Sequence, residues 1–199
     1  MKKQQRQTAR PGNQLRIIGG QWRGRKLSFP SVPGLRPTPD RVRETLFNWL
    51  AAAVPGARCL DLFAGSGALG LEALSRGAGS LTLVDSAPEV IRQLQQNLKL
   101  LQADAETVQQ PAQSWLQSAT DSRYDIVFLD PPFGQDLAGP SIELLEHNAL
   151  LSEDAWVYLE TARDEPPPLT PRHWQLHREK QAGQVCYRLF HVRADIQGA

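Results

Sequence analysis

A chain of 199 residues, 41% of them hydrophobic, is one domain's worth and long enough to bury a core. Its two cysteines are too few and too far apart for a disulfide framework, no residue pattern suggests a metal site, and no apolar run approaches membrane-spanning length; a soluble cytoplasmic protein without metal is expected, and nothing demands more than a monomer. The net charge of +1 conceals an asymmetry: residues 1–43 carry eleven Lys or Arg against one acid, whereas residues 44–199 carry eleven against twenty.

Residues 1–14 read as a basic flexible tail. Residues 15–37 read as a basic arm, a β-hairpin running from Leu15 to Ile18 and back from Arg25 to Phe29 through a loop containing Gly19, Gly20, Trp22 and Gly24. Arg16, Arg23, Arg25, Lys26, Arg36, Arg41 and Arg43 can neutralise phosphates, so an RNA-facing surface is expected there; a merely solubilising one is the plainer alternative. Thr38 followed by Pro39 predicts a helix start, the hydroxyl capping and the proline at the first helical position. Val42, Leu46, Trp49, Leu50 and Ala53 then share one face, and Thr38 comes within reach of a cofactor if this helix packs beside a pocket.

Cys59 to Phe63 reads as a short buried strand, followed by a glycine loop and a helix from Leu71 to Arg76 that Gly77 stops. Gly65, Gly67 and Gly70 spell G-x-G-x-x-G, and Asp85 lies 20 residues after Gly65 at the end of a strand over 80–84. Taken literally this is a dinucleotide fingerprint, so a nicotinamide oxidoreductase stays open. Asp61, four residues before the first glycine, argues otherwise. Its carboxylate repels a pyrophosphate and attracts an ammonium group, and S-adenosylmethionine has an ammonium, a sulfonium and ribose hydroxyls that suit Asp85. The alternative for Asp61 is a carboxylate that caps the loop or helix.

Further strands are predicted over 58–62, 106–109, 124–129 and 155–160, with helices between them including Pro88–Leu101 and Ile142–His147; this alternation predicts a parallel sheet. Trp174–Glu179 and Val185–Val192 read as an antiparallel hairpin that brings the sheet to seven strands. The four histidines form no site by spacing. Trp115, Trp156 and Trp174 read as packing residues, and Trp22 stays open as a base-stacking group.

Asp130-Pro131-Pro132-Phe133 directly follows the apolar run Tyr124–Leu129. Two prolines have fixed φ and no N–H, so they make a stiff corner at the carboxyl end of a buried strand, where open α/β sheets bind ligands. An acceptor-only carboxylate, unblocked carbonyls and an aromatic face on that corner suit a flat base bearing an amino group. Asp130, Pro131 and Phe133 are the candidate catalytic residues.

With these motifs in place, Asp61–Gly67, Asp85 and Asp130–Phe133 resemble class I S-adenosylmethionine-dependent amino-methyltransferases. The segments Arg16–Leu27 and Leu35–Leu50 are similar to those of the bacterial RsmD family, which methylates the exocyclic N2 of a guanine in 16S ribosomal RNA. The resemblance runs from about Leu15 to about Val192. It implies a Rossmann-like α/β fold with a seven-stranded, mostly parallel sheet, a C-terminal antiparallel hairpin and a small N-terminal β-hairpin extension. Residues 38–199 are then the catalytic domain. The implied cofactor is S-adenosylmethionine, held by Thr38, Asp61, Phe63, Gly65, Gly67, Asp85, Ser86 and Ala112. The implied partner is 16S rRNA in the assembled 30S subunit, touched by Arg16, Arg23, Arg25, Arg36, Arg41, Arg43 and Pro132. Where the family often places Asn or Asp beside the adenine ring, this chain has Pro111-Ala112-Gln113, which leaves that contact to backbone groups or Gln113. The Asp-Pro-Pro-Phe corner alone also fits N6-adenine or N4-cytosine enzymes, and a non-catalytic RNA-binding factor is the remaining alternative.

Overall fold

The computed structural model describes residues 13–120 and 122–193; residues 1–12 of the expected basic tail lie outside them, and Gln14 already belongs to the first strand. Leu15 is flanked by exposed Gln14 and Arg16, and Leu27 by Lys26 and Ser28, so each short strand turns one leucine inward. β1 (Gln14–Arg16) and β2 (Lys26–Ser28) pair antiparallel with Leu15 opposite Leu27, and a 3-10 turn at Gly20–Trp22 lies in the connection.

The main sheet has seven strands in the order β5-β4-β3-β6-β7-β9-β8. They are β3 (Arg58–Asp61), β4 (Ser80–Asp85), β5 (Glu106–Gln109), β6 (Tyr124–Leu129), β7 (Leu151–Ala162), β8 (Trp174–Ala182) and β9 (Val185–Val192). The first five run parallel, and β9 lies antiparallel between β7 and β8. The strands expected at 155–160 and 174–179 both extend further, the first into a twelve-residue strand with an irregular register near Tyr124 and Ile126 of β6.

Helices cover both faces: α1 (Asp40–Trp49), α2 (Gly70–Ser75) and α3 (Pro88–Leu101) on one, α4 (Ala112–Ser118) and α5 (Ala138–His147) on the other. This two-sided cover explains why β6 is apolar at successive positions: Ile126 and Phe128 face the first layer, Val127 and Leu129 the second. α5 starts a turn earlier than expected because Gly139 and Pro140 fall in its first turn, where a missing N–H costs no intrahelical bond. Gly77, at φ +97°, ends α2 as expected, its N–H donating to Leu74 O at 3.0 Å. α1 departs from expectation at its start: Asp40 is the first helical residue, Pro39 occupies the cap position, and Thr38 makes no capping bond.

The N-terminal hairpin is welded to the body. Ile17 and Leu27 are part of the main core. Ile18 N–H donates to Glu72 Oε2 at 2.9 Å, and Ser75 Oγ donates to Gly19 O at 2.6 Å while accepting from Trp22 N–H at 3.0 Å. Asn97 on α3 donates to Ser28 O at 2.9 Å. Gly20 sits at φ +72°, and a Cβ there would lie 1.8 Å from Ser75 O, so the turn can meet the end of α2 only as glycine. Trp22 is half-buried against this core.

Cys59 and Cys186 are buried free thiols, and burial pushes Cys59 up to about 12. Among the described residues no helix is long and apolar enough to cross a membrane.

Candidate active site

After β3 the chain runs out to β4 and β5 and then returns to β6, so the crevice at the carboxyl ends of β3 and β6 is a topological switch point. Asp61 ends β3 with Phe128 of β6 as its neighbour in register, and Asp130 follows β6 directly. Beside them stands Asp85, the last residue of β4.

The glycine loop is held from below by carboxylates. Gly65 N–H donates to Asp85 Oδ2 and Ala87 N–H to Asp85 Oδ1, both at 2.9 Å. Gly70 N–H, at the start of α2, donates to Asp61 Oδ2 at 2.9 Å. The structure thus corrects the picture of an open Asp61 carboxylate aimed into the ligand loop: Asp61 is 2% exposed, and its carboxylate caps the helix that the loop leads into. Burial, with the Asp130 and Asp85 charges adding, pushes Asp61 up to about 7 even against the Gly70 and Phe63 N–H groups. Burial also raises Asp85 above its ordinary value.

Gly65 and Gly67 both have positive φ, +50° and +78°. A Cβ at Gly67 would lie 2.7 Å from Leu94 and 2.8 Å from Leu71, so that side of the loop is closed by packing. At Gly65 the nearest atoms are 3.8 Å away, on Leu35 and Phe63, so this residue opens upward and presents bare backbone. Phe63, Gly65 and Asp85 are half-buried along this opening and Ser86 is exposed beside it. Bare backbone at Gly65 beside the half-buried Asp85 carboxylate suits ribose hydroxyls, and the buried Asp61 carboxyl beneath the loop suits a cation above it, so the residues present suit S-adenosylmethionine. Leu35, from the arm, was missed by sequence reasoning because its contact with the loop is 30 residues distant and carries no motif.

Ala112 is buried at the start of α4, and the Gln113 NH2 donates to Leu137 O at 3.4 Å and Ser141 Oγ at 3.2 Å, which ties α4 to α5. Of the two groups that the sequence left for an adenine contact here, backbone or Gln113, the Gln113 NH2 is engaged with α5.

At the Asp-Pro-Pro-Phe corner, Pro131 is buried, Pro132 is exposed and Phe133 is 46% exposed. Thr38 Oγ1 donates to Asp130 Oδ2 at 3.4 Å, which places the residue expected to cap α1 on the candidate catalytic carboxylate instead. Gly134 N–H donates to Glu165 Oε1 at 3.1 Å and anchors the corner to the loop after β7. Burial raises Asp130, opposed by the Thr38 hydroxyl. Beside it, sequence reasoning missed Glu160, 4% exposed, whose Oε1 accepts from the Tyr158 hydroxyl at 2.7 Å. A glutamate inside an apolar strand had no partner visible in the sequence.

The arginines separate into groups. Arg43 is corrected: it is fully buried, and its guanidinium donates to Thr38 O, Arg16 O, Asp40 Oδ1 and Glu72 Oε2 at 2.6–3.3 Å, out of any phosphate's reach. Arg16 is exposed but paired with Asp40 at 2.8 Å, and Arg25 donates to Leu100 O at 3.0 Å. Arg23, Arg36 and Arg41 are exposed.

A family model described as "Conserved hypothetical protein 95" matches residues 15–191. The Ribosomal RNA small subunit methyltransferase D of Escherichia coli (strain K12) is 54% identical over 182 residues, covering 91% of each chain. The protein of the same name from Haemophilus influenzae is 46% identical over 188 residues, covering 92% of this chain and 97% of that one. Among solved structures, the putative methyltransferase yhhF from Escherichia coli superposes with a TM-score of 0.85 at 51% identity, covering 92% of this chain and 99% of that one.

Proposed function

Because the chain belongs to the RsmD family, whose Escherichia coli and Haemophilus influenzae members are ribosomal RNA small subunit methyltransferases, we propose that it moves a methyl group from S-adenosylmethionine to the exocyclic N2 of a guanine in 16S rRNA. Membership supports S-adenosylmethionine over the nicotinamide reading of the glycine loop. The observation that carries the base chemistry is the corner itself: a carboxylate, a carbonyl on Pro131 and a half-exposed phenyl ring, acceptors and a stacking surface, with the Thr38 hydroxyl turned onto Asp130. Such a receptor takes the two N–H bonds of an aromatic amine.

S-adenosylmethionine supplies an electrophilic methyl carbon. An aromatic amino nitrogen is a poor nucleophile because its lone pair is delocalised into the ring. Asp130 and the Pro131 carbonyl, accepting both N–H bonds, favour a more pyramidal nitrogen and stabilise the positive charge that develops there. Phe133 stacks on the base and sets its angle, and alignment of this kind supplies on the order of 7–11 kcal/mol. Once methylated, the nitrogen is acidic and releases a proton to Asp130. The target base must already be unpaired or be flipped out to reach this corner. The exposed Arg23, Arg36 and Arg41 position the RNA, and the assembled 30S subunit is taken as the substrate of a monomeric enzyme.

The test is transfer of labelled methyl to 30S subunits from cells lacking this modification, with naked 16S rRNA in parallel, followed by nucleoside analysis. N2-methylguanosine is expected; methyladenosine or methylcytidine keeps the chemistry and overturns the base. Asp130→Ala is expected to slow transfer by on the order of 10²–10³, with the dissociation constant of S-adenosylhomocysteine little changed. Preserved turnover at saturation combined with lost cofactor binding contradicts the role given to Asp130.

A further inference from the structure

β6 and β7 run parallel with Phe128 beside Tyr158 and Leu129 beside Leu159. Extended by one residue past the end of β6, the same register sets Asp130 beside Glu160, and the Asp130 charge acts on the Glu160 carboxyl. A strand turns side chains to the same face at every second residue, so both carboxyls share the face of Phe128 and Tyr158. Among the described residues, Glu160 has one side-chain hydrogen-bond partner, the Tyr158 hydroxyl, and no cation. Arg188, the nearest guanidinium in sequence register, lies on the opposite face, bonded to Glu179 at 2.6 Å and to Thr161 Oγ1 at 3.0 Å. The other groups facing the pair are Thr38 from the loop before α1, Asp61 from β3, and Tyr187, which pairs with Glu160 from β9; Lys180, its neighbour on β8, lies over the Trp49 ring. Two buried carboxyls on one face, both raised by burial and with no cation between them, favour a state in which the pair keeps one proton.

We propose that Glu160 is a positioning residue for Asp130: it carries the proton of the pair, directs it as a hydrogen bond onto Asp130, and so keeps Asp130 an ionised acceptor for the substrate amino group. The inference rests on the amino-methylation reading and deepens it. The partition follows from surroundings. Asp130 has the Thr38 hydroxyl and the mouth of the pocket to favour its charge, whereas Glu160 is enclosed. Burial raises both groups, and the Asp130 charge raises Glu160 further. In the reaction the new N–C bond forms as the S–C bond breaks with its electron pair left on sulfur. One proton of the amino group then passes to the Asp130 carboxylate and leaves through the open pocket, while Glu160 keeps its own.

The experiment is a single-turnover methyl-transfer pH profile for the wild type, Glu160→Gln, Glu160→Ala and Tyr158→Phe, with S-adenosylhomocysteine binding measured for each. Wild-type turnover requires Asp130 ionised and Glu160 protonated, so it rises and then falls with pH. An amide at position 160 still donates to Asp130 and cannot ionise. Glu160→Gln is therefore expected to keep kcat within about threefold and to lose the alkaline limb, whereas Glu160→Ala loses about tenfold or more in kcat with KM for RNA little changed. Tyr158→Phe removes the donor that favours the Glu160 anion, so the alkaline limb moves to higher pH. An alkaline limb left in place in both Glu160→Gln and Tyr158→Phe overturns the proposal, as does a Glu160→Gln enzyme as slow as Glu160→Ala. Should Glu160→Gln fail to bind S-adenosylhomocysteine, the Tyr158→Phe limb decides alone. A wild type that methylates no amino group of rRNA sinks the functional reading instead, and the two failures are thereby distinguished.

Discussion

Asp61 holds up the glycine loop from beneath and at the same time puts a carboxyl with a raised pKa, about 7, under the place where a cofactor ammonium is proposed to lie. The two roles give opposite responses to a cation. Without ligand, burial keeps a fraction of Asp61 protonated near neutral pH; a bound ammonium stabilises the carboxylate, lowers its pKa and expels that proton. S-adenosylhomocysteine binding at pH 7 is thus expected to release part of a proton, seen as a binding enthalpy that differs between phosphate and Tris buffers. Affinity should weaken as pH falls from 8 to 6. Asp61→Asn can still accept from Gly70 N–H, so it should fold, bind more weakly and lose the buffer dependence. An enthalpy identical in both buffers for the wild type removes the ammonium contact and leaves Asp61 as a cap alone. Both readings of Asp61 were present in the sequence; the path of the loop, which brings a backbone N–H nine residues away onto one oxygen, shows the capping one.

At the scale of elements, the point of most consequence is how the N-terminal hairpin meets α1 and α2. Arg43 is the joint: one buried guanidinium binds the Arg16 carbonyl of β1, the Thr38 carbonyl, Asp40 and the Glu72 carboxylate of α2. Glu72 in turn takes Ile18 N–H and the Arg76 guanidinium at 2.8 Å. Arg43→Ala is expected to cost about 3–5 kcal/mol in urea unfolding because Glu72 loses a buried partner. Arg43→Lys should rescue little, since an ammonium cannot reach four acceptors in a planar fork. A loss below about 1 kcal/mol for Arg43→Ala contradicts the joint. The hairpin can also be released without touching a charge. Gly20→Ala places a methyl group on Ser75 O, so the turn must lift; rRNA methylation is expected to fall about tenfold or more while S-adenosylhomocysteine binding stays within about threefold. Equal losses in both would instead make the hairpin part of the cofactor site. The elements were largely legible from strand and helix patterning and from punctuation such as Gly77. The joint was not, since helical periodicity put Arg43 off the Val42–Leu46 stripe and nothing local reveals a carbonyl and a carboxylate waiting 27 and 29 residues away.

For the whole molecule, the strand–helix alternation already implied a parallel sheet, and the sheet order places the carboxyl ends of β3, β4 and β6 side by side, so three acids far apart in the chain, Asp61, Asp85 and Asp130, line one crevice. An acidic crevice repels RNA, and only the N-terminal part of the chain carries the opposite charge in excess. RNA is therefore expected to bind from the basic side while the base alone enters the acidic one. Since Arg43 is spent inside, Arg16 faces Asp40 and Arg25 bonds Leu100 O, the exposed Arg23, Arg36 and Arg41 are the arginines proposed for phosphate contact. Each phosphate neutralised releases counterions and contributes about 0.7–0.9 to the slope of log affinity against log salt. The triple change Arg23→Gln, Arg36→Gln, Arg41→Gln is expected to lower that slope by about 2–3 in anisotropy titrations with 16S rRNA fragments, with S-adenosylhomocysteine affinity unchanged. A slope that does not move would put the RNA on another face and detach the hairpin from substrate binding. A weakened affinity at constant slope would mean that these side chains read shape or bases and leave phosphate to others.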